Sequence, residues 1–186
     1  MSTIPGRTGR ALLVIDVQEG VFATVHDRDA VVTRIAGLVD RARAEGTPVV
    51  WIQQEDEGDL RHGSDGWRIA APLAPADGEA VVAKTYGDAF DATSLESVLA
   101  DLDASEVVVC GGQTDACVRS TLHGAFVRGY DVTLVGDAHT TEDLREWDAS
   151  VPGPAEVIAH TNLSWRYEDG AGRVARVVDA EEVVLS

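Results

Sequence analysis

Hydrophobic positions along the chain fall into two alternating rhythms. Ala11–Ile15 is an unbroken apolar run closed by Asp16, the pattern of a strand buried on both faces. Val31, Val32, Ile35, Leu38, Val39 and Ala42 then recur at helical spacing. Gly46 closes that helix, and Pro48 leads into a second strand, Val49–Gln53. A polar stretch from Gln54 through Trp67, with Gly58, Gly63 and Gly66, reads as a loop. Val81–Lys84 is a short strand. Leu95, Val98, Leu99 and Leu102 mark a helix with Thr93 or Ser94 near its start. Glu106–Cys110 is a buried strand stopped by Gly111-Gly112. Val118, Leu122, Ala125 and Phe126 mark a helix ending at Gly129. Asp131–Val135 is a fifth strand, Pro154 opens a helix over Ala155–Leu163, and Val174–Leu185 reads as a last strand or extended segment.

Strands interleaved with helices predict an α/β fold: a three-layer α/β/α sandwich whose mainly parallel, Rossmann-like sheet is built from right-handed crossovers. With no repeat, low-complexity tract or linker, residues 1–186 read as a single domain. Ligands of such sheets bind beyond the carboxyl ends of the strands. That rule selects Asp16, the loop after Gln53, Lys84 and the segment Gly111–Cys117.

Three reactive side chains sit at those ends. Cys117 lies at the start of a predicted helix, with Thr114 and Asp115 as candidate N-caps. A helix N-terminus and a nearby Lys84 ammonium both favour thiolate, whereas burial and the Asp16 charge oppose it. Asp16 suits the transfer of a proton from the thiol to a departing amine, and backbone N–H groups suit an oxyanion. Each residue alone has a plainer reading: a buried small hydrophobe, a turn-capping carboxylate, a solvated cation. Their joint placement on one sheet edge is what suggests acyl transfer.

Charge and composition narrow the partners. With 15 basic against 32 acidic residues the net charge is −17, which disfavours nucleic acid and anionic membranes. No apolar run is long enough to span a bilayer and Met1–Gly6 has no signal-like core, so a cytoplasmic protein is expected. The cysteines, Cys110 and Cys117, make neither a disulfide framework nor a metal set, and Cys110 reads as inert core.

The chain resembles the isochorismatase-like cysteine hydrolases, which include nicotinamidases and N-carbamoylsarcosine amidohydrolase. The matching segments are Leu12-Leu13-Val14-Ile15-Asp16-Val17-Gln18, Val81-Val82-Ala83-Lys84 and Gly112-Gln113-Thr114-Asp115-Ala116-Cys117-Val118. Gly129-Tyr130-Asp131-Val132 and Gly136-Asp137-Ala138-His139-Thr140-Thr141 fit as well. The resemblance implies a catalytic triad of Asp16, Lys84 and Cys117, with Cys117 the nucleophile. It also implies a cis Gly112–Gln113 peptide that turns the Gln113 N–H toward an oxyanion, beside that of Cys117. The implied activity is hydrolysis of an amide-type C–N bond in a small molecule, without a cofactor.

Two departures shape that reading. Nicotinamidases carry a metal site of one Asp and two His after the second strand; here Gln53–His62 offers a single His, so no metal is expected, although the carboxylates at 55–59 leave a cation open. Isochorismate-cleaving relatives lack the Cys, because vinyl-ether hydrolysis needs proton donation rather than acyl transfer. That ether hydrolysis, or a silent ligand-binding role, is the alternative. Phe22 and Trp67 are candidate pocket walls, Gln18 a brace for the loop after Asp16, and His139 and His160 loop or helix-end residues bonded to backbone. The resemblance further implies a homodimer or homotetramer. The helix Val118–Arg128 and the tail after Ala155 are candidate contact surfaces.

Overall fold

The computed structural model describes residues 2–185. Its centre is a seven-stranded sheet of β1 (Gly9–Ile15), β2 (Val49–Gln54), β3 (Ala80–Lys84), β4 (Ala104–Gly112), β5 (Asp131–Thr140), β6 (Asp169–Gly170) and β7 (Arg173–Val178). The spatial order is β3-β2-β1-β4-β5-β7-β6. Every pairing is parallel except the terminal β6–β7 hairpin. The helices are α1 (Arg28–Glu45), α2 (Leu95–Asp101), α3 (Arg119–Arg128) and α4 (Pro154–Arg166).

Side chains alternate across each strand, so the sheet feeds two cores. Leu12, Val14, Trp51 and Val108 point to one face and meet Ile35, Leu38 and Val39 of α1. Leu13, Ile15, Val50 and Val109 point to the other and meet Leu99 of α2, Leu122 and Phe126 of α3 and Trp165 of α4. The central strands β1 and β4 carry unbroken apolar runs, Ala11–Ile15 and Val107–Cys110, because both faces are covered there. α1 ends where Gly46 takes φ 77°, a left-handed turn that glycine adopts without Cβ strain. Among the described residues no helix is long and apolar enough to cross a membrane.

The structure differs from the sequence reading at several places. The predicted stop at Gly111-Gly112 is absent: β4 runs through both. The glycines serve close approach instead. A Cβ on Gly111, at φ 120°, would lie 2.0 Å from Ile15 O, and one on Gly112 would lie 2.9 Å from Phe22 Cε2. The last strand ends at Val178. Beyond it Ala180, Val183 and Leu185 fold onto the α1 core, held by Arg41 donating to the carbonyls of Ala180 and Val183. An extended apolar tail looks the same in sequence whether it pairs in a sheet or caps a helix layer. β5 is twice the predicted length because its polar half, Gly136–Thr140, is still paired with β4.

The chain runs outward from β1 to β3 on one side and from β4 to β7 on the other. The order therefore reverses between β1 and β4, which is where such sheets open a crevice. Asp16 follows β1 and Cys117 follows β4, so the topology sets the two on either side of that crevice.

Candidate active site

At the carboxyl edge of the sheet Lys84 joins the other two candidate residues. Its Nζ lies 2.7 Å from Asp16 Oδ2 and 3.1 Å from Cys117 Sγ. The Lys84 side chain is 0% exposed and that of Asp16 1%, so this is a buried ion pair. The ammonium also donates to Gln54 Oε1 at 2.6 Å and Tyr86 O at 3.3 Å. Those acceptors offset part of its desolvation and fix its direction. Asp16 itself sits at φ 49°, just past the end of β1. Its Oδ1 is buried without a hydrogen-bond partner.

Cys117 lies on a single π-helical turn, Thr114–Val118, that leads into α3. Gln113 is the residue before that turn, and its carbonyl accepts from the N–H groups of both Ala116 and Val118. The Gly112–Gln113 peptide is cis. Thr114 and Asp115, expected as N-caps, are inside the turn and make no capping bond. They tie it to β5 instead. Thr114 Oγ1 meets His139 Nδ1 at 2.8 Å, and Thr141 Oγ1 donates to Asp115 Oδ1 at 2.6 Å.

Burial sets the proton affinities. It pushes the Asp16 carboxyl above its ordinary range, against the pull of Lys84 and a weaker contribution from the Cys117 thiol. The Cys117 thiol is pushed up to about 11 by burial and then by the Asp16 charge, which together outweigh Lys84. The expected contest thus goes against the thiolate. The reason is bookkeeping of charge: Asp16 and Lys84 already neutralise each other, so a thiolate would be a surplus anion in a desolvated site.

Above these residues is an open cavity of about 810 Å³. Asp16, Gln54, Gln113 and Cys117 form its floor side, with Asp56, Asp59, Leu60 and Ser64 from the loop after β2 and Glu142 after β5. Neither Phe22 nor Trp67 is part of that wall, which corrects their reading as pocket residues. Phe22 is fully buried beneath Gly112. Trp67 turns to its own loop, donating to Glu55 Oε1 and resting on the His62 ring. Large aromatics in a polar segment attract attention in sequence, but here each fastens a loop from behind.

Gln18 braces the loop as expected: its Nε2 donates to the carbonyls of Gln54 and Trp67, and its Oε1 accepts from Gln54 N–H. His139 is corrected. It is buried at the end of β5 and bonded to side chains, Thr114 on one nitrogen and Asn162 on the other. His160 lies exposed on α4. Gln54, a direct partner of Lys84, was missed. Its one visible signal is a polar residue at the end of an apolar strand. Among the described residues no group of three His, Cys, Asp or Glu lies close enough to hold a metal ion.

With the geometry in hand, similarity to known proteins has a definite meaning. The isochorismatase domain model matches residues 10–160, a span that includes Asp16, Lys84 and Cys117. The chain belongs to the isochorismatase family. A streptothricin hydrolase of Streptomyces noursei is 37% identical over 92% of this chain and 69% of its own length. A maleamate amidohydrolase of Pseudomonas putida is 30% identical over 70% of this chain and 73% of its own. An isochorismatase from Pseudomonas putida KT2440 superposes with a TM-score of 0.83 at 27% identity, over 94% of this chain and 90% of that one. This chain is therefore an isochorismatase-family hydrolase with the α/β fold of that family.

Proposed function

We propose that this isochorismatase-family hydrolase cleaves an amide-type C–N bond of a small molecule through a Cys117 acyl-enzyme. The observation that carries the proposal is the buried Lys84 Nζ held between Asp16 Oδ2 and Cys117 Sγ, two residues that line the cavity. A buried thiol near 11 is a poor nucleophile by itself, so it needs a base at hand. Asp16 Oδ1 is that base: a buried acceptor with no other partner. Moving the thiol proton to Asp16 leaves the charge of the site unchanged, which is why it is easier than losing the proton to water.

In the first half-reaction Asp16 takes the thiol proton as Sγ bonds to the amide carbon. The resulting oxyanion accepts from the N–H groups of Gln113 and Cys117. Asp16 returns the proton to the nitrogen, the C–N bond breaks, and the amine leaves. In the second half Asp16 deprotonates a water that attacks the thioester. The C–S bond breaks as Asp16 returns that proton to Sγ, so the carboxylic acid departs and the thiol is restored. Lys84 keeps the neighbouring negative charges compensated throughout. No step calls for a metal or an organic cofactor.

Streptothricin and maleamate are the first compounds to try, because relatives bear those names. The test is release of amine or ammonia by the wild type against Cys117→Ala, with a trapped thioester sought by intact mass. Turnover that survives in Cys117→Ala would end the covalent reading. The proposal includes a homodimer or homotetramer and action in a reducing compartment such as the cytoplasm, which suits a free thiol.

A further inference from the structure

We propose that a cleft between α3 and α4, separate from the Cys117 cavity, binds a phosphate group, free or at the end of a small organic molecule. The proposal is independent of the amide-hydrolase reading, since the two cavities share no lining residue. The cleft holds about 50 Å³. That is room for about four water-sized atoms, the oxygens of one tetrahedral anion. Arg119 and His123, one turn apart on α3, line one side. His160, Thr161 and Ser164 of α4 line the other, and the buried Leu122 and Trp165 form the floor.

The chemistry of this lining is one-sided. The Arg119 guanidinium and the Trp165 indole are donors only, and the imidazoles and hydroxyls can donate as well. Among the described residues no carboxylate lines the cleft, although the chain has 32 acidic residues to 15 basic. An arginine in such a chain ordinarily finds a carboxylate, as Arg7, Arg28, Arg43 and Arg128 do. Arg119 has neither an ion pair nor a side-chain hydrogen bond among the described residues, and the same holds for His160. His123 has Glu168 at 4.0 Å and an edge-on contact with the Trp165 ring.

Buried groups in the cleft supply the second observation. Trp165 is 2% exposed, and its Nε1 is buried without a hydrogen-bond partner. Thr161 is 6% exposed, and its hydroxyl has no partner among the described residues. Polar groups buried unpaired are unfavourable, and the mechanism proposed for Cys117 uses neither of these. An oxyanion seated between the helices would give both an acceptor and the Arg119 guanidinium a charge-assisted partner. Phosphate has four oxygens to share among these donors; a carboxylate, with two, would leave donors over.

The experiment titrates the full chain, labelled with nitrogen-15, with inorganic phosphate and in parallel with glycerol phosphate. Ionic strength is held constant with sodium chloride, and the indole N–H resonances are followed. The Trp165 signal, identified by its loss in Trp165→Phe, should shift and saturate, while those of Trp51, Trp67 and Trp147 stay in place. Arg119→Gln should weaken binding by about tenfold or more, as loss of one charge-assisted bond predicts. Adding His160→Gln should abolish it. Both side chains are exposed, so the double variant should melt at the wild-type midpoint without phosphate. Phosphate should raise the midpoint of the wild type and not that of the variant. Saturation by either anion upholds the site, and the tighter of the two identifies the free ion or the ester as its occupant. A Trp165 signal that stays in place, or that shifts equally in the double variant, would overturn it.

Discussion

Asp16 and Cys117 share one proton between two buried acceptors, so their titrations are coupled. In the productive state the proton rests on sulfur and the carboxylate is charged. Activity should therefore fall on the acid side as the pair takes a second proton, on Asp16, at a pH above the ordinary carboxylate range because burial raises that group. Above that limb the wild-type kcat/KM profile should level off. Asp16→Asn keeps the shape but removes the base. It should lose activity by on the order of 10²-fold at neutral pH. Its remaining rate should climb with alkalinity as the thiolate forms, and a pH–rate profile of both proteins reads this. An unchanged profile in Asp16→Asn would place the base elsewhere. Lys84 carries a second prediction. Lys84→Met strands the buried Asp16 charge and should cost about 3–5 kcal/mol in urea unfolding. Adding Asp16→Asn to it should recover part of that loss, because the uncompensated charge is gone.

At the level of elements, the nucleophile's turn is held from β5 and α4. Asn162 Nδ2 donates to Gly136 O, so its Oδ1 faces His139 Nε2 as an acceptor. His139 must then carry its proton on Nε2, which leaves Nδ1 to accept from Thr114 Oγ1. A protonated ring would have no acceptor for Thr114. Burial accordingly lowers the His139 pKa. The linkage sign follows from that direction. Below its unfolded value of about 6.5 the unfolded chain binds the proton more readily than the folded one, so stability falls as pH drops. Above that value the contribution is intact. His139→Gln should flatten this acid-side slope in denaturation midpoints measured from pH 5 to 7.5. It should also lower kcat more than it changes KM, because the turn bearing Cys117 loses its tether. A variant with the wild-type slope would show that another group titrates.

On the scale of the molecule, the surface outside the cavity has its own feature. Val127 on α3, Leu163 on α4 and Tyr167 just after it are exposed by 68%, 54% and 79%. They lie on the elements that the sequence reading offered as candidate contact surfaces. Light scattering at micromolar concentration should give twice or four times the 19.7 kDa chain mass. Val127→Glu with Leu163→Glu should shift that mass toward the monomer, since a charge in an apolar contact is strongly unfavourable. A monomeric wild type would remove the proposed assembly.

The strands, the helices and their alternation were legible in the sequence, because burial on both faces writes an unbroken apolar run and burial on one face writes a helical stripe. Asp16, Lys84 and Cys117 were legible for a related reason: each stands at or just after a run's carboxyl end, where a parallel sheet opens. Local pattern carried no information about what each side chain meets across the fold. The extent of β4 past its glycines depended on how closely Ile15 passes them. The place of Phe22 beneath Gly112, the grip of Gln54 on Lys84 and the bond from His139 to Thr114 all join residues far apart in the chain. The proton on Cys117 was decided the same way. Charge and helix position argued for a thiolate, but the depth of burial and the neutralised Asp16–Lys84 pair are properties of packing, and they favour the thiol.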